Sequence, residues 1–204
     1  MKIALIGASG NAGSRILSEL VSRGHRVTAI ARHPDKIAKL NAATPDYRVF
    51  QSYKDVVKKI VREVSIDETM ARHIHDNSID TALAKFLAKH KGQGVVGGAG
   101  SLLTPDGKKL IESPHFPDIY KVEAAAGGVF LDKLRAQSAV NWTYFSPPAV
   151  FIPGARTGTF RLGLENLIAD ASGTSTVSME DFAIAMVDEI EKPAHLNQRF
   201  TIGY

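Results

Sequence analysis

The sequence predicts an α/β fold in which helices cover both faces of a doubly wound, mainly parallel sheet. Short apolar runs typical of buried strands alternate with segments of helical periodicity along most of the chain. The first apolar run, over 3–6, leads directly into a glycine-punctuated turn, and a second, over 27–30, follows the first helical segment. Strands and helices that alternate in this way form parallel sheets, because each helix returns the chain to the same edge of the sheet.

The composition is that of an ordinary globular protein, and we expect one domain over 1–204. The chain has 204 residues, of which 44% are hydrophobic and 23% are charged. It contains no cysteine, which excludes disulfides and cysteine catalysis and fits a reducing cytoplasm. There is no membrane-spanning apolar run, no signal-peptide pattern and no basic stripe with interleaved aromatics. We expect a cytoplasmic monomer or homodimer that binds neither membrane nor nucleic acid.

The turn after the first strand has the Gly-x-x-Gly-x-x-Gly spacing of a dinucleotide-binding fingerprint. Gly7 permits a tight turn, Gly10 lets backbone N–H groups approach a pyrophosphate, and Gly13 lets the helix pack closely on the sheet. The positive end of the helix then faces the phosphates. The alternative is a glycine-rich turn without a ligand. The predicted cofactor-binding residues in this turn are Gly7, Ser9, Gly10, Asn11, Ala12 and Gly13.

The end of the second predicted strand indicates which nicotinamide cofactor the chain prefers. An acid at this position would accept hydrogen bonds from the 2′-hydroxyl of NAD, whereas an arginine pairs with the 2′-phosphate of NADP. The chain has Arg32 and His33 there, and no acid between positions 22 and 34. The alternative is a solvated arginine at a strand end. We therefore predict that Arg32 and His33 bind the cofactor and that NADP(H) is preferred over NAD(H).

Further elements follow from periodicity and capping signals. Apolar residues recur at helical spacing over 53–64, 66–74 and 79–87. The capping-box spacing of Ser178 and Asp181 predicts that the last helix begins at Ser178. Other expected elements are a short helix over 35–40, strands over 47–51, 94–97, 141–145 and 199–202, a helix over 118–137, substrate-covering loops over 102–117 and 151–163, and within the latter a mobile loop or small hairpin over 154–163.

Four stretches of the chain resemble the atypical short-chain dehydrogenase/reductases, specifically the small NmrA-like NAD(P)H-binding proteins that include the flavin and biliverdin reductase type. The stretches are 1–11, 97–102, 142–147 and 199–204. The resemblance implies a Rossmann fold and hydride transfer to flavins or quinones with little help from acid–base groups. It departs over 49–91, where Gln51-Ser52 replaces the usual Gly-Asp pair. The usual fourth strand either hides in a poor sequence such as 63–66 or is missing, and we favour its loss.

The Tyr-x-x-x-Lys motif of the classical short-chain dehydrogenases is absent, which argues against ordinary alcohol dehydrogenase chemistry. Ser101 follows the strand over 94–97, where it could hydrogen-bond the carbonyl of an acceptor. It could equally be a turn serine bonded to its own backbone. Tyr120 is a second catalytic candidate as a proton donor, although a surface position is favoured.

Two functions from different classes fit these residues. The first is an NAD(P)H-dependent oxidoreductase that transfers hydride to a small planar acceptor of flavin or quinone type. The second is a non-catalytic NADP(H)-binding redox sensor or regulatory protein of NmrA type. The residues expected beside the cofactor at the strand ends of the later half are Gly97, Gly98, Ser146 and Pro147. We predict no metal site, since His73 and His75 would diverge on a helix and lack a third ligand.

Overall fold

A computed structural model describes residues 1–31, 36–37, 48–50, 93–138 and 141–204. The chain divides into two compact units, 1–90 and 91–204, and each is described by itself. Several predictions lie outside the described residues. These are the roles of Arg32 and His33, the helices over 53–87, the pair Gln51-Ser52, the question of the fourth strand, and His73 and His75.

The first unit begins as a parallel βαβ arrangement. Its described elements are β1 (Lys2–Ile6), α1 (Asn11–Ser22), β2 (Arg26–Ile30) and β3 (Arg48–Phe50). The strands are parallel in the order β1-β2-β3, and Ile6 pairs with Ile30 at the carboxyl ends of β1 and β2. Within the helix expected over 35–40, residues 36–37 are helical.

The apolar face of α1 is buried against the sheet of the first unit. Ile16, Leu17 and Leu20 are at most 1% exposed. Val27 and Ala29 of β2 are buried as well, and α1 contacts both β1 and β2. Burial of an aliphatic side chain of this size contributes about 1.5–3 kcal/mol. This contact therefore fixes α1, and with it the glycine turn that precedes it.

The second unit carries a sheet with the strand order β4-β5-β9-β7. Strands β4, β5 and β9 are parallel, β7 is antiparallel to β9, and β6 pairs with β8 in a separate parallel ribbon. The elements are β4 (Gln93–Val96), a 3-10 turn (Leu110–Glu112), α2 (Asp118–Ala136), β5 (Trp142–Ser146), β6 (Val150–Ile152), β7 (Arg161–Gly163), β8 (Thr176–Ser178), α3 (Met179–Glu191) and β9 (Gln198–Gly203).

Helices cover both faces of this sheet, as predicted. On the α3 face, the ring of Phe145 stacks between Phe182 at 4.0 Å and Phe200 at 3.9 Å between ring centroids. On the α2 face, a separate buried cluster is formed by Leu131, Leu134, Trp142 and Tyr144. The two clusters use alternate residues of β5, because successive side chains of a strand point to opposite faces. The predicted fold class, a mainly parallel α/β sheet, is confirmed.

The segment over 154–163 forms no hairpin. Its last three residues form β7, which pairs with β9 at the carboxyl end of the chain. The three-residue strands β6, β7 and β8 were not expected from the sequence. Three residues are too few for a strand-type alternation of apolar and polar side chains to stand out.

The loop before β7 is tied to the first turn of α3 by the buried carboxylate of Asp181. This carboxylate accepts hydrogen bonds from the backbone N–H groups of Thr157 and Gly158, both at 2.8 Å, and from the hydroxyl of Tyr204 at 2.8 Å. Burial opposes ionisation of Asp181, but these bonds and the Thr157 hydroxyl outweigh it and hold its pKa below the ordinary value. Only half of the predicted capping box forms. The Ser178 hydroxyl accepts from the Asp181 N–H at 3.0 Å, while the carboxylate binds the loop.

Replacement of Asp181 by asparagine should lower the free energy of unfolding by about 2 kcal/mol at pH 7, because an amide cannot accept all of these hydrogen bonds. The folded-state pKa of Asp181 lies below the unfolded value of 3.8, so its contribution is complete above that value and is lost as pH falls through the folded pKa. The difference between wild type and Asp181→Asn should therefore shrink at acidic pH. Urea unfolding between pH 7 and pH 3 measures it.

The control for this measurement is Asp132→Asn, which removes one carboxylate from the exposed face of α2. We expect it to change the free energy of unfolding by less than about 0.5 kcal/mol. A loss for Asp181→Asn that stayed constant between pH 7 and pH 3 would show that the carboxylate charge does not hold the loop.

Candidate functional site

The glycine turn of the first unit is closed too tightly for a side chain at its third glycine. Gly7 has a positive φ of +79°, and its carbonyl oxygen accepts a hydrogen bond from the Gly10 N–H at 2.9 Å. A Cβ placed on Gly13 would lie 2.1 Å from that same oxygen. The first turn of α1 can therefore sit directly on the backbone of the glycine turn only because position 13 has no side chain.

The N-terminus of α1 is chemically suited to an anionic group. The N-cap residue is Gly10, which has no side chain to bond the first N–H groups of the helix, and the first turn contains no acid. Gly7, Gly10 and Asn11 are exposed, while Ser9 and Ala12 are half-buried. Backbone donors and the positive end of the helix dipole thus meet at one exposed turn. These residues fit the pyrophosphate of a dinucleotide.

In the second unit, the ring of Tyr144 packs directly against the glycine-rich exit of β4. A Cβ on Gly97 would lie 2.0 Å from Cε1 of Tyr144, so only glycine fits at this position. The Tyr144 hydroxyl donates to the Gly127 carbonyl of α2 at 3.1 Å and accepts from the Gly98 N–H at 3.4 Å. Burial raises the pKa of Tyr144, which keeps the hydroxyl protonated for the bond to α2. Gly97 and Gly98 are therefore held in place from both β5 and α2.

Ser101 lies at the end of this exit, half-buried, beside the middle of α2. A Cβ on Gly128 would come within 3.9 Å of the Cβ of Ser101. The Ser101 hydroxyl accepts a hydrogen bond from Nη1 of Arg199 at 2.8 Å. Its partner is thus a charged side chain from β9. The alternative interpretation, a turn serine bonded to its own backbone, does not account for this partner. The described residues provide no acceptor for the hydroxyl proton of Ser101.

The structure does not bring Tyr120 to Ser101. Tyr120 is 57% exposed in the first turn of α2, next to Lys121, which pairs with Asp118 at 2.6 Å. It precedes Gly128, the point where Ser101 meets the helix, by eight residues. At 1.5 Å per residue this is about 12 Å along the helix axis.

Arg199 is a candidate functional residue that the sequence reasoning missed. It is 3% exposed, and its Nη2 forms an ion pair with Glu165. Both oxygens of Glu165 also accept from Nη2 of Arg135, at 2.8 and 2.9 Å. Burial opposes ionisation of Glu165, but the hydrogen bonds from Arg135 and Arg199 prevail and lower its pKa. The available signal was a cation in a strand that is otherwise uncharged, since charged side chains are rarely buried without a partner.

Ser146 and Pro147 are both buried at the carboxyl end of β5. The Ser146 carbonyl accepts from the hydroxyl of Thr201, but its own side-chain oxygen has no partner among the described residues. Ser146 lies two positions after Tyr144, which pairs with Arg199, so these side chains share the α2 face of the sheet. The second unit therefore places Ser146 and Arg199 on the face of the sheet that α2 covers, where the Arg199 side chain reaches Ser101.

Other kinds of site find less support in the part of the chain that the structure describes. No group of three or more His, Asp or Glu side chains there could hold a metal ion. No helix there is long and apolar enough to cross a membrane.

Comparisons with known proteins agree with the geometry of the glycine turn. The chain matches the NAD(P)H-binding family over residues 7–89. It is 40% identical to the uncharacterized protein YwnB of Bacillus subtilis (strain 168), over 99% of this chain and 98% of YwnB.

Two solved structures extend these comparisons to the whole chain. A Bacteroides thetaiotaomicron protein described provisionally as an epimerase is 36% identical, with a TM-score of 0.84 over 100% of this chain and 96% of its own. A Streptococcus pneumoniae TIGR4 protein described provisionally as an NADH-flavin reductase is 29% identical, with a TM-score of 0.73 over 100% of this chain and 99% of its own. The chain therefore belongs to the NAD(P)H-binding family, as its resemblance to the atypical short-chain dehydrogenase/reductases predicts.

Proposed function

We propose that this protein is an NAD(P)H-dependent oxidoreductase that transfers hydride to a small planar acceptor of flavin or quinone type. The observation that carries the proposal is the Ser101 hydroxyl, which accepts from buried Arg199 and keeps its own proton for a ligand. The family supports a nicotinamide cofactor. The description of the Streptococcus relative as an NADH-flavin reductase supports the class of acceptor.

In this proposal, some residues of the chain bind the cofactor and others stabilise the charge that develops on the acceptor. When bound, NADPH supplies the hydride: its C4–H bond breaks, a bond from that hydrogen to the acceptor forms, and one solvent proton completes the two-electron reduction. The turn over 7–13 binds the pyrophosphate. Ser101 donates a hydrogen bond to an acceptor carbonyl, where negative charge develops as the hydride arrives. Loops 102–117 and 151–163 are proposed to cover the acceptor, and Arg32 and His33 to select NADP(H) by pairing with its 2′-phosphate.

A second candidate function is a non-catalytic NADP(H)-binding redox sensor. The observation that favours it is that Tyr120 lies far from Ser101 and that the Tyr-x-x-x-Lys motif is missing. The described residues therefore provide no evident general acid beside Ser101. A sensor would bind NADPH without oxidising it in the presence of any acceptor. Binding and turnover are therefore measured separately in the experiments that follow.

Gly13→Ala should abolish NADPH binding, because the added Cβ meets the Gly7 carbonyl oxygen and forces the turn open. Cofactor fluorescence and thermal shift measure the loss. The matched control is Gly24→Ala at the opposite end of α1, where φ is +76° and nothing lies within 4 Å of the added Cβ. That change costs about 1 kcal/mol of stability through backbone strain but leaves the turn intact. If Gly13→Ala bound NADPH as wild type does, the pyrophosphate would not lie on this turn.

Arg32→Ala should weaken NADPH binding about tenfold or more and leave NADH binding within about twofold, since only NADPH carries the 2′-phosphate that the guanidinium pairs with. Parallel titrations with the two nucleotides measure the ratio. Arg26→Ala, at the other end of β2, removes the same charge from an exposed position and should not change the ratio. An equal loss for both nucleotides would contradict the proposed preference for NADP(H).

Ser101→Ala should lower kcat for NADPH oxidation by about 10²-fold while the Kd for NADPH is unchanged, because one hydrogen-bond donor to developing charge is lost. Stopped-flow or steady-state absorbance with FMN and menadione as acceptors measures it. Ser172→Ala, in an exposed turn of the same unit, is the control. NADPH binding without turnover by the wild-type protein, together with a protein partner in a pull-down, would instead favour the sensor.

A further inference from the structure

The guanidinium of Arg199 is buried, and its hydrogen-bond partners do not fully offset the free energy that this burial costs. It is 3% exposed, and its Nε has no hydrogen-bond partner among the described residues. A buried donor without a partner is unfavourable, and a buried charge needs both pairing and complete hydrogen bonding to be tolerated. Replacement of such a group by an apolar side chain is often neutral or stabilising. Stability alone therefore does not explain why an arginine occupies this position in β9.

The orientation of Arg199 is fixed from the side away from Ser101. Its Nη2 forms an ion pair with Glu165. The Glu165 carboxylate also accepts two hydrogen bonds from Arg135. Nη2 of Arg199 also points toward the Glu165 carbonyl oxygen, at 3.5 Å. With Nη2 held in this way, the planar guanidinium directs Nη1 to the Ser101 hydroxyl at 2.8 Å.

This geometry determines what the Ser101 hydroxyl can do. Arginine has five N–H donors and no acceptor, so the bond between the two residues requires the serine oxygen to accept. The hydroxyl proton of Ser101 must then point elsewhere, and a neighbouring cation makes that O–H a stronger donor. Ser146, on the same face of the sheet, has a buried hydroxyl without a partner among the described residues. A polar ligand on this face would supply partners for the two unpaired buried atoms, Ser146 Oγ and Arg199 Nε.

We propose that Arg199 is a positioning residue that fixes the Ser101 hydroxyl as an outward hydrogen-bond donor for an acceptor carbonyl. The proposal rests on the proposed reductase function, and it adds a residue whose effect passes through Ser101. Glu165 in turn holds Arg199 in the required orientation. A ligand oxygen that gains negative charge during reduction is the group that the Ser101 hydroxyl would bind.

The absence of cysteine from the chain allows a test of the pairing that needs neither cofactor nor turnover. Ser101→Cys introduces a single thiol beside Arg199, and its titration is followed by thiolate absorbance or by the rate of alkylation. The apparent pKa of this thiol should lie about one unit below the ordinary value near 8.5, because the guanidinium stabilises the thiolate. Addition of Arg199→Met should return it to about 8.5, whereas Arg199→Lys should retain part of the shift.

The control variants separate this effect from a general disturbance of the fold. Arg161→Gln removes an arginine from β7, the strand next to β9, where it bonds the carbonyls of Ala169 and Tyr204 and not Ser101. It should leave the shift of the thiol pKa intact. Ser172→Cys places a thiol in an exposed turn, and its titration should not respond to Arg199→Met. Equal thiol pKa values with and without Arg199 would overturn the proposal.

A double-mutant cycle tests the same coupling in turnover with FMN as the probe. Arg199→Met should lower kcat about tenfold in the wild-type background but less than about twofold in the Ser101→Ala background, with the Kd for NADPH unchanged in both. A merely structural role would lower thermal stability equally in the two backgrounds and give additive effects on kcat. Additive effects in an active enzyme would overturn this inference alone. A wild-type chain that binds NADPH but reduces neither FMN nor menadione would overturn the proposed function and this inference with it.

Discussion

The packing of Tyr144 against the backbone of Gly97 constrains the whole candidate site of the second unit. The ring occupies the space that any side chain at position 97 would need, and the hydroxyl bridges the exit of β4 to the middle of α2. One residue of β5 thus sets the distance between a strand, a glycine turn and a helix. Ser101 follows this turn directly, so its place beside Gly128 depends on that contact.

Two carboxylates, those of Asp181 and Glu165, hold the loops around this framework through hydrogen bonds. Asp181 collects donors from the loop at Thr157 and Gly158 and from the C-terminal Tyr204, while Glu165 collects two arginines. In both cases the hydrogen bonds lower the pKa of the carboxyl group against the effect of burial. Charged groups fix loop geometry more precisely than apolar contacts, because hydrogen bonds are directional and burial is not. Because these hydrogen bonds depend on ionised carboxylates, the stability of the loop at Asp181 depends on pH.

Elements longer than three residues could largely be predicted from the sequence, because periodicity and capping are local signals. The helix α2 and the strand β9 begin and end within one residue of their expected bounds, and α3 begins one residue after the expected Ser178. The pairing of Ser101 with Arg199 could not be predicted, since the two residues are 98 positions apart and meet only through the register of β4, β5 and β9. For the same reason the capping box predicted Ser178 correctly but not the use of the Asp181 carboxylate by a distant loop.

The chemistry of this face follows from what its side chains can and cannot do. Arg199 donates and never accepts, and the Ser101 oxygen accepts from Arg199, so the Ser101 O–H is left to donate to another group. Such a pair stabilises charge that appears on a ligand oxygen but cannot remove a proton from a substrate carbon. Oxidation of an alcohol requires a base at the reacting hydroxyl, whereas reduction of a flavin or quinone requires only that the growing negative charge be met by donors. Because neither Ser101 nor Arg199 is a base, this pair supports the proposed reduction of an electron-accepting substrate over the oxidation of an alcohol, and it does so independently of the missing Tyr-x-x-x-Lys motif.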